Sequence, residues 1–146
     1  MKTVLQRVKS SSVTIDGSLY SNINKGLLIL LGVEKDDTQK DADYLVSKIL
    51  KLRIFEDENE KMNYSISDIK GEIMVVSQFT LAGDCKKGTR PSFDNAKNPK
   101  EANELYEYFV QELKKSGLTV QTGVFRAMME VALINDGPVT FVLDSK

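Results

Sequence analysis

The run EIMVVSQFTLAG, Glu72–Gly83, is apolar until Ser77 and then carries a hydroxyl, an amide and a second hydroxyl at Ser77, Gln78 and Thr80. Polar groups at the end of a buried strand must find partners. Capping or cross-linking the sheet is their commoner use; the chemical alternative is a rim where donors converge on a ligand carbonyl. Strand alternation predicts Gln78 and Thr80 on one face, Ser77 and Phe79 on the other. Thr80 as a nucleophile needs a base beside it, and the sequence contains no histidine. That absence excludes Ser-His-Asp and Cys-His catalysis and any His-ligated metal site. Proton transfer in such a chain falls to carboxylates, hydroxyls, water, backbone groups or the substrate itself.

Three further places carry polar groups of interest. The loop DCKKGTRPSF, Asp84–Phe93, brings Lys86, Lys87 and Arg90. Charge runs are usually solvated faces, but after a polar strand end these could hold phosphates as point charges and a fork. Arg7 lies inside the first strand and needs a carbonyl or carboxylate partner there. The stretch NDGPVT, Asn135–Thr140, combines two opposed signals. Asp-Gly favours a hairpin turn, whereas Pro138 has no N–H for a ladder and can follow a cis bond. A plain turn is the commoner use; the alternative is a backbone device that meets a ligand.

The elements that must position these groups follow from periodicity. Val4–Val8 and Val13–Ile15 read as strand segments, with Asp16-Gly17 as a turn. GLLILLGV, Gly26–Val33, suits a strand buried on both faces. TQKD, Thr38–Asp41, matches a capping box, and Ala42, Leu45, Val46, Ile49 and Leu50 follow at helical spacing. Leu52–Phe55 reads as strand, and Glu56–Lys61 as a charged turn. Asn98 and Pro99 open a second helix with Ala102, Leu105, Phe109 and Leu113 on its buried stripe. Phe125, Ala127, Met129, Val131 and Leu133 alternate, predicting one apolar strand face, which reads as core. Val139–Leu143 is the last strand.

The composition bounds the answer. A chain of 146 residues, 41% hydrophobic and 28% charged, suits one globular domain with a real core. The predicted class is α+β: a single domain over 1–146, a mostly antiparallel or mixed β-sheet and two main helices. Net charge is −1, so no global basic field points to nucleic acid. Cys85 is the only cysteine. The N-terminal MKTVLQRV lacks an apolar signal core, and no apolar run approaches membrane-spanning length, so a cytoplasmic location is expected.

SQFTLAG together with NDGPVT closely resembles the paired signature of the D-aminoacyl-tRNA deacylase family, editing enzymes that hydrolyse D-amino acids from tRNA. The likeness covers essentially the whole chain, with VLQRV, GLLILLGV, LRIFEDENEKMN, KGTRPSF and VFRAMMEVALINDGPVT in the family's order. It implies that family's fold, a cytoplasmic homodimer with active sites at the subunit interface, and no metal or organic cofactor. Gly137-Pro138 matches the family's Gly-cisPro element, which reaches from one subunit into the other's pocket. Ser77, Gln78, Phe79 and Thr80 match the pocket strand and are the implied catalytic group. Met129 and Ala127, on the stripe read above as core, join Gly137 and Pro138 as implied substrate-binding residues. Arg7, Asn135 and Thr140 would support the bend, and Lys86, Lys87 and Arg90 would touch tRNA.

Two mechanisms are held for the family. One makes Thr80 the nucleophile; the other gives the chemistry to the 2′-hydroxyl of the terminal adenosine. Physical argument favours the second, because an aminoacyl ester is already activated and a histidine-free chain gains from the substrate's own hydroxyl. The family reading also implies rejection of L-residues by main-chain atoms, so achiral glycine, as in mischarged Gly-tRNA(Ala), would pass. One departure stands out: Arg126-Ala127 where Gly-Ala is expected. Other classes remain open on the residues: a non-catalytic nucleic-acid-binding module, or a structural dimer shaped by its Gly-Pro.

Overall fold

The two apolar stretches at the start of the chain join into one strand, β1 (Lys2–Ile15), in the computed structural model, which describes residues 1–146. Asp16 and Gly17 both take positive φ, 50° and 76°, and turn the chain into β2 (Ser18–Ile23). Two such residues give a hairpin turn that follows the twist of its strands. β3 (Gly26–Gly32) pairs antiparallel with Lys2–Val8 of β1, while β2 pairs with Ser11–Ile15. β3 is the continuous apolar run and is buried along nearly its whole length.

α1 (Gln39–Lys51) begins as the capping box predicts: the Asp41 carboxylate accepts from the Thr38 N–H at 2.8 Å. Its buried face is Ala42, Leu45, Val46 and Ile49. β4 (Phe55–Glu56) and β5 (Met62–Tyr64) form a small antiparallel pair around the charged turn. Leu52–Ile54, read as strand, lies outside β4. β6 (Glu72–Ser77) runs parallel to β3, and β7 (Val120–Thr122) parallel to β6. α2 (Pro99–Lys114) connects them, capped by Asn98 Oδ1 accepting from the Glu101 N–H at 3.1 Å. Its buried stripe keeps Ala102, Phe109 and Leu113 as predicted and adds Tyr106 and Val110, with Leu105 only partly buried. The Tyr106 hydroxyl makes this affordable by donating to the Val75 carbonyl at 2.9 Å.

β8 (Glu130–Asp144) pairs antiparallel with β1 from end to end and has no partner on its outer edge. The main sheet is therefore mixed, in the order β2-β1-β3-β6-β7 with β8 added on β1. One face carries α1 and α2 over Leu5, Leu27, Ile29, Leu31, Ile73 and Val75. On the other face Leu28, Met74 and Val76 meet Val8, Val13 and Ile23, with Met129, Val131 and Leu133 packed alongside. The far halves of β1, β2 and β8 thus curl over β3 and β6. Ser21 of β2 reaches the Thr122 carbonyl of β7 at 2.6 Å across this fold-over. No helix is long and apolar enough to cross a membrane.

Three expectations need correction. The strand read through Gly83 stops at Ser77, and Phe79–Ala82 coil into a 3₁₀ turn. Gln78 N–H still reaches the Leu31 carbonyl at 2.8 Å, but the Leu81 N–H turns back to the Gln78 carbonyl. This brings Leu81 onto Gly32, where any Cβ would stand 2.8 Å from the Leu81 Cβ. The alternating faces assigned to Gln78 and Thr80 do not exist. Second, Phe125–Met129 are not strand: Ala127 N–H bonds the Val124 carbonyl at 3.1 Å, and Arg126 takes φ +66°. A reversal of that kind is invisible to hydrophobic alternation. Third, NDGPVT does not turn between two strands. Gln6 faces Thr140 and Val8 faces Asn135, so Asp136–Val139 bulge from a single strand opposite Arg7 alone.

Candidate functional site

β3, β6 and β7 are parallel, so their carboxyl ends open on the same side. Ligands of open α/β sheets bind beyond such ends. A cavity of about 740 Å³ lies there. Val33 follows β3, while Val76 and Ser77 end β6 and Gln78 and Phe79 lead into the 3₁₀ turn. The turn Phe125–Met129 after β7 closes one side, and Phe93–Ala102, including the start of α2, forms another wall. Eleven of its seventeen lining residues are hydrophobic. Phe79 and Phe93 are exposed and pack ring against ring at 5.0 Å, tilted by 58°.

The polar end of β6 is arranged for donation. Gln78 Nε2 donates to Thr80 Oγ1 at 2.6 Å, which ties the amide to the hydroxyl. Phe79 and Thr80 open the 3₁₀ turn, so their N–H groups have no acceptor within it. Ser77, Gln78 and Phe79 line the cavity; Thr80 sits one residue behind. Ala127 and Met129 line it as well, which the alternating pattern concealed by reading them as core.

The bulge of β8 is held by its own set of bonds. Asn135 Oδ1 accepts from the Val139 N–H at 3.0 Å, and Asn135 Nδ2 donates to Thr140 Oγ1 at 2.9 Å. An asparagine side chain here imitates a backbone turn. Gln6 Nε2 adds a bond to the same hydroxyl at 3.3 Å. Arg7 is 6% exposed. Its Nε donates to the Asp136 carbonyl at 3.0 Å and its Nη1 to the Ile54 carbonyl at 2.9 Å. Carboxylates of Glu56 and Asp136 stand 3.6 Å away. These contacts present Gly137 and Pro138, both exposed and joined by a cis peptide, at the tip. Gly137 has φ +133°, which an L side chain rarely adopts. Neither residue lines the cavity of its own chain.

The structure therefore divides the residues singled out in the sequence into three places. Ser77, Gln78, Phe79, Ala127 and Met129 meet at the cavity, with Thr80 adjoining. Arg7, Asn135, Gly137, Pro138 and Thr140 form the bulge. Lys86, Lys87 and Arg90 sit on an exposed loop closed by the Asp84–Ser92 bridge and line no part of the cavity. Sequence reasoning missed Lys97, Phe93 and Val33 as cavity walls. The helix cap at Asn98 and the end of β3 were the available signals, because both mark element ends that converge.

Comparison with known proteins bears on this geometry. Residues 4–144 match the family model described as D-Tyr-tRNA(Tyr) deacylase. A D-aminoacyl-tRNA deacylase of Koribacter versatilis (strain Ellin345) is 59% identical over 146 residues, covering 100% of this chain and 98% of the relative. One from Clostridioides difficile (strain 630) is 61% identical over 145 residues, covering 99% and 97%. Among solved structures, a c-Myc DNA Unwinding Element Binding Protein superposes with a TM-score of 0.94 at 43% identity, covering 100% of this chain and 99% of that one. A probable eukaryotic D-amino acid tRNA deacylase shares the fold, with a TM-score of 0.86 at 17% identity over 98% of both chains.

Proposed function

The chain belongs to the D-Tyr-tRNA(Tyr) deacylase family, and from that premise we propose that it hydrolyses the ester of D-aminoacyl-tRNA, releasing the free D-amino acid and tRNA. The observation that carries this is the cavity beyond β6, where the amide of Gln78 and the start of a 3₁₀ turn adjoin an apolar space. Ester hydrolysis needs a placed nucleophile and donors for the developing oxyanion. The N–H groups of Phe79 and Thr80 are the donors. Thr80 Oγ1 accepts from Gln78 at 2.6 Å and has no histidine or carboxylate bonded to it as base. The 2′-hydroxyl of the terminal adenosine is therefore the activating group, and Thr80 and Gln78 hold the geometry.

Selection between enantiomers falls to Gly137-Pro138. A pocket that accepts many D side chains must read the α-carbon, and rigid main chain at that point clashes with an L side chain alone. The bulge of one chain lies outside that chain's cavity, so a second copy supplies it, and the protein works as a homodimer. The unpaired outer edge of β8 offers a surface for that association. Glycine, with no side chain to clash, is hydrolysed too, as on Gly-tRNA(Ala).

Incubation with D-Tyr-tRNA and L-Tyr-tRNA tests the reading: deacylation of the D-ester alone is expected. Thr80→Val retains most of that activity, whereas a tRNA ending in 2′-deoxyadenosine loses it. Equal hydrolysis of both esters would defeat the selectivity claim. A second reading, nucleic-acid binding without turnover, is favoured by the likeness, at 43% identity, to a protein named for binding a DNA unwinding element. It predicts no release of either amino acid.

A further inference from the structure

The cavity wall is positive in a chain whose net charge is −1. Among its lining residues Lys97 and Arg126 are cations, and none is Asp or Glu. They arrive from separate segments, one just before α2 and the other after β7. Lys97 is 12% exposed; its Nζ donates to the Lys35 carbonyl at 2.7 Å and lies 4.0 Å from the Glu101 carboxylate. An ammonium has three donors, so this leaves capacity at the wall. Arg126 is exposed and forms no ion pair or hydrogen bond with the rest of the chain. It holds φ +66°, a region where glycine is at ease and arginine is rare. The amino end of α2 adds its partial positive charge to the same wall, though Asn98 and Glu101 occupy part of it.

We propose that Arg126 and Lys97 seat a phosphodiester of the strand that carries the ester. The proposal rests on the ester-hydrolase reading above and adds what the site recognises beyond the aminoacyl group. That group bears an ammonium, which both cations repel, so neither serves to bind it. The substrate's negative charge begins at the phosphate linking the terminal nucleoside to its neighbour. A guanidinium meets such a group with a planar fork and an ammonium as a point charge. The seat thereby distinguishes an ester on a polynucleotide from the same ester on a free nucleoside. It also assigns the phosphate contact to Arg126 and Lys97 rather than to Lys86, Lys87 and Arg90, which line no part of the cavity.

The test compares D-tyrosine esterified to tRNA with D-tyrosine esterified to adenosine. Arg126→Gly suits the backbone at this position, so the fold is retained. Its kcat/KM is expected to drop about tenfold more on the tRNA ester than on the adenosine ester, the size of one charge-assisted hydrogen bond. Arg126→Lys recovers part of the difference. Binding of a fluorescent oligoribonucleotide ending in CCA is expected to lose about 0.7 of its log–log salt slope in Arg126→Gly, one phosphate's worth on a single strand. Equal losses on both esters together with an unchanged salt slope would overturn the seat while leaving the hydrolase reading intact. If the wild-type protein hydrolyses neither ester yet the slope still falls with Arg126→Gly, the hydrolase reading fails and the seat stands.

Discussion

At the scale of single residues, Gly137 is the one glycine of positive φ that also has close neighbours. A Cβ built there meets Val139 Cγ2 at 2.7 Å, the Val139 nitrogen at 3.1 Å and Arg7 Nη2 at 3.2 Å, on a backbone with φ +133°. The first contact is with a short branched side chain, and the third is with an arginine already committed to two carbonyls. Gly137→Ala is therefore expected to lose about 1–3 kcal/mol of stability, read from the urea midpoint, and to depress D-Tyr-tRNA hydrolysis more than that loss explains. Unchanged turnover would remove the bulge from the site. The neighbouring roles were only partly legible. Arg7 announced its need for a carbonyl partner by lying in an apolar strand, but no rule of sequence says that the carbonyl belongs to Asp136, 129 positions away.

At the scale of elements, α2 supplies a wall of the cavity, and its start depends on one side chain. Asn98→Ala removes the acceptor for the Glu101 N–H. It should cost about 1 kcal/mol and lower Tm by about 3 °C, measured by thermal melting; Asn98→Ser, which keeps a capping oxygen, should cost much less. Such helix signals were readable because capping and 3.6-residue periodicity are local, and the bounds of α1 and α2 follow them closely. β3 was readable because nothing polar interrupts it. The stretches around the cavity misled for a common reason. Phe125–Met129 alternate as a strand does, yet Arg126 reverses the backbone and ends the alternation as structure. Phe79–Ala82 continue an apolar run, yet the close fit of Leu81 on Gly32 coils them. Tertiary packing decided both, and neither has a local signature.

At the scale of the whole molecule, distant parts of the chain are tied at Asp41. Burial pushes its carboxyl up, but the Thr38 N–H, Lys146 and Ser145 outweigh that and hold it well below the usual carboxylate range. Lys146 Nζ stands 2.9 Å from it and the Ser145 hydroxyl 2.7 Å. A carboxylate whose folded pKa is depressed adds stability above its unfolded value, near about 3.9, and that stability disappears as pH falls through the folded value. Acid unfolding should therefore steepen below about pH 4, and Asp41→Asn should flatten that limb in a urea titration at successive pH values. The ladder between β1 and β8 imposes a different kind of constraint. Val131 and Leu133 point inward on one flank of the bulge, and Phe141 and Leu143 on the other. Both flanks keep their register on β1 while the four residues Asp136–Val139 stand against Arg7 alone, so extra length is taken up at the tip and neither inward row shifts. The two ladders therefore hold this finger as piers hold an arch: the span between them can be rebuilt residue by residue without disturbing the rows that anchor it.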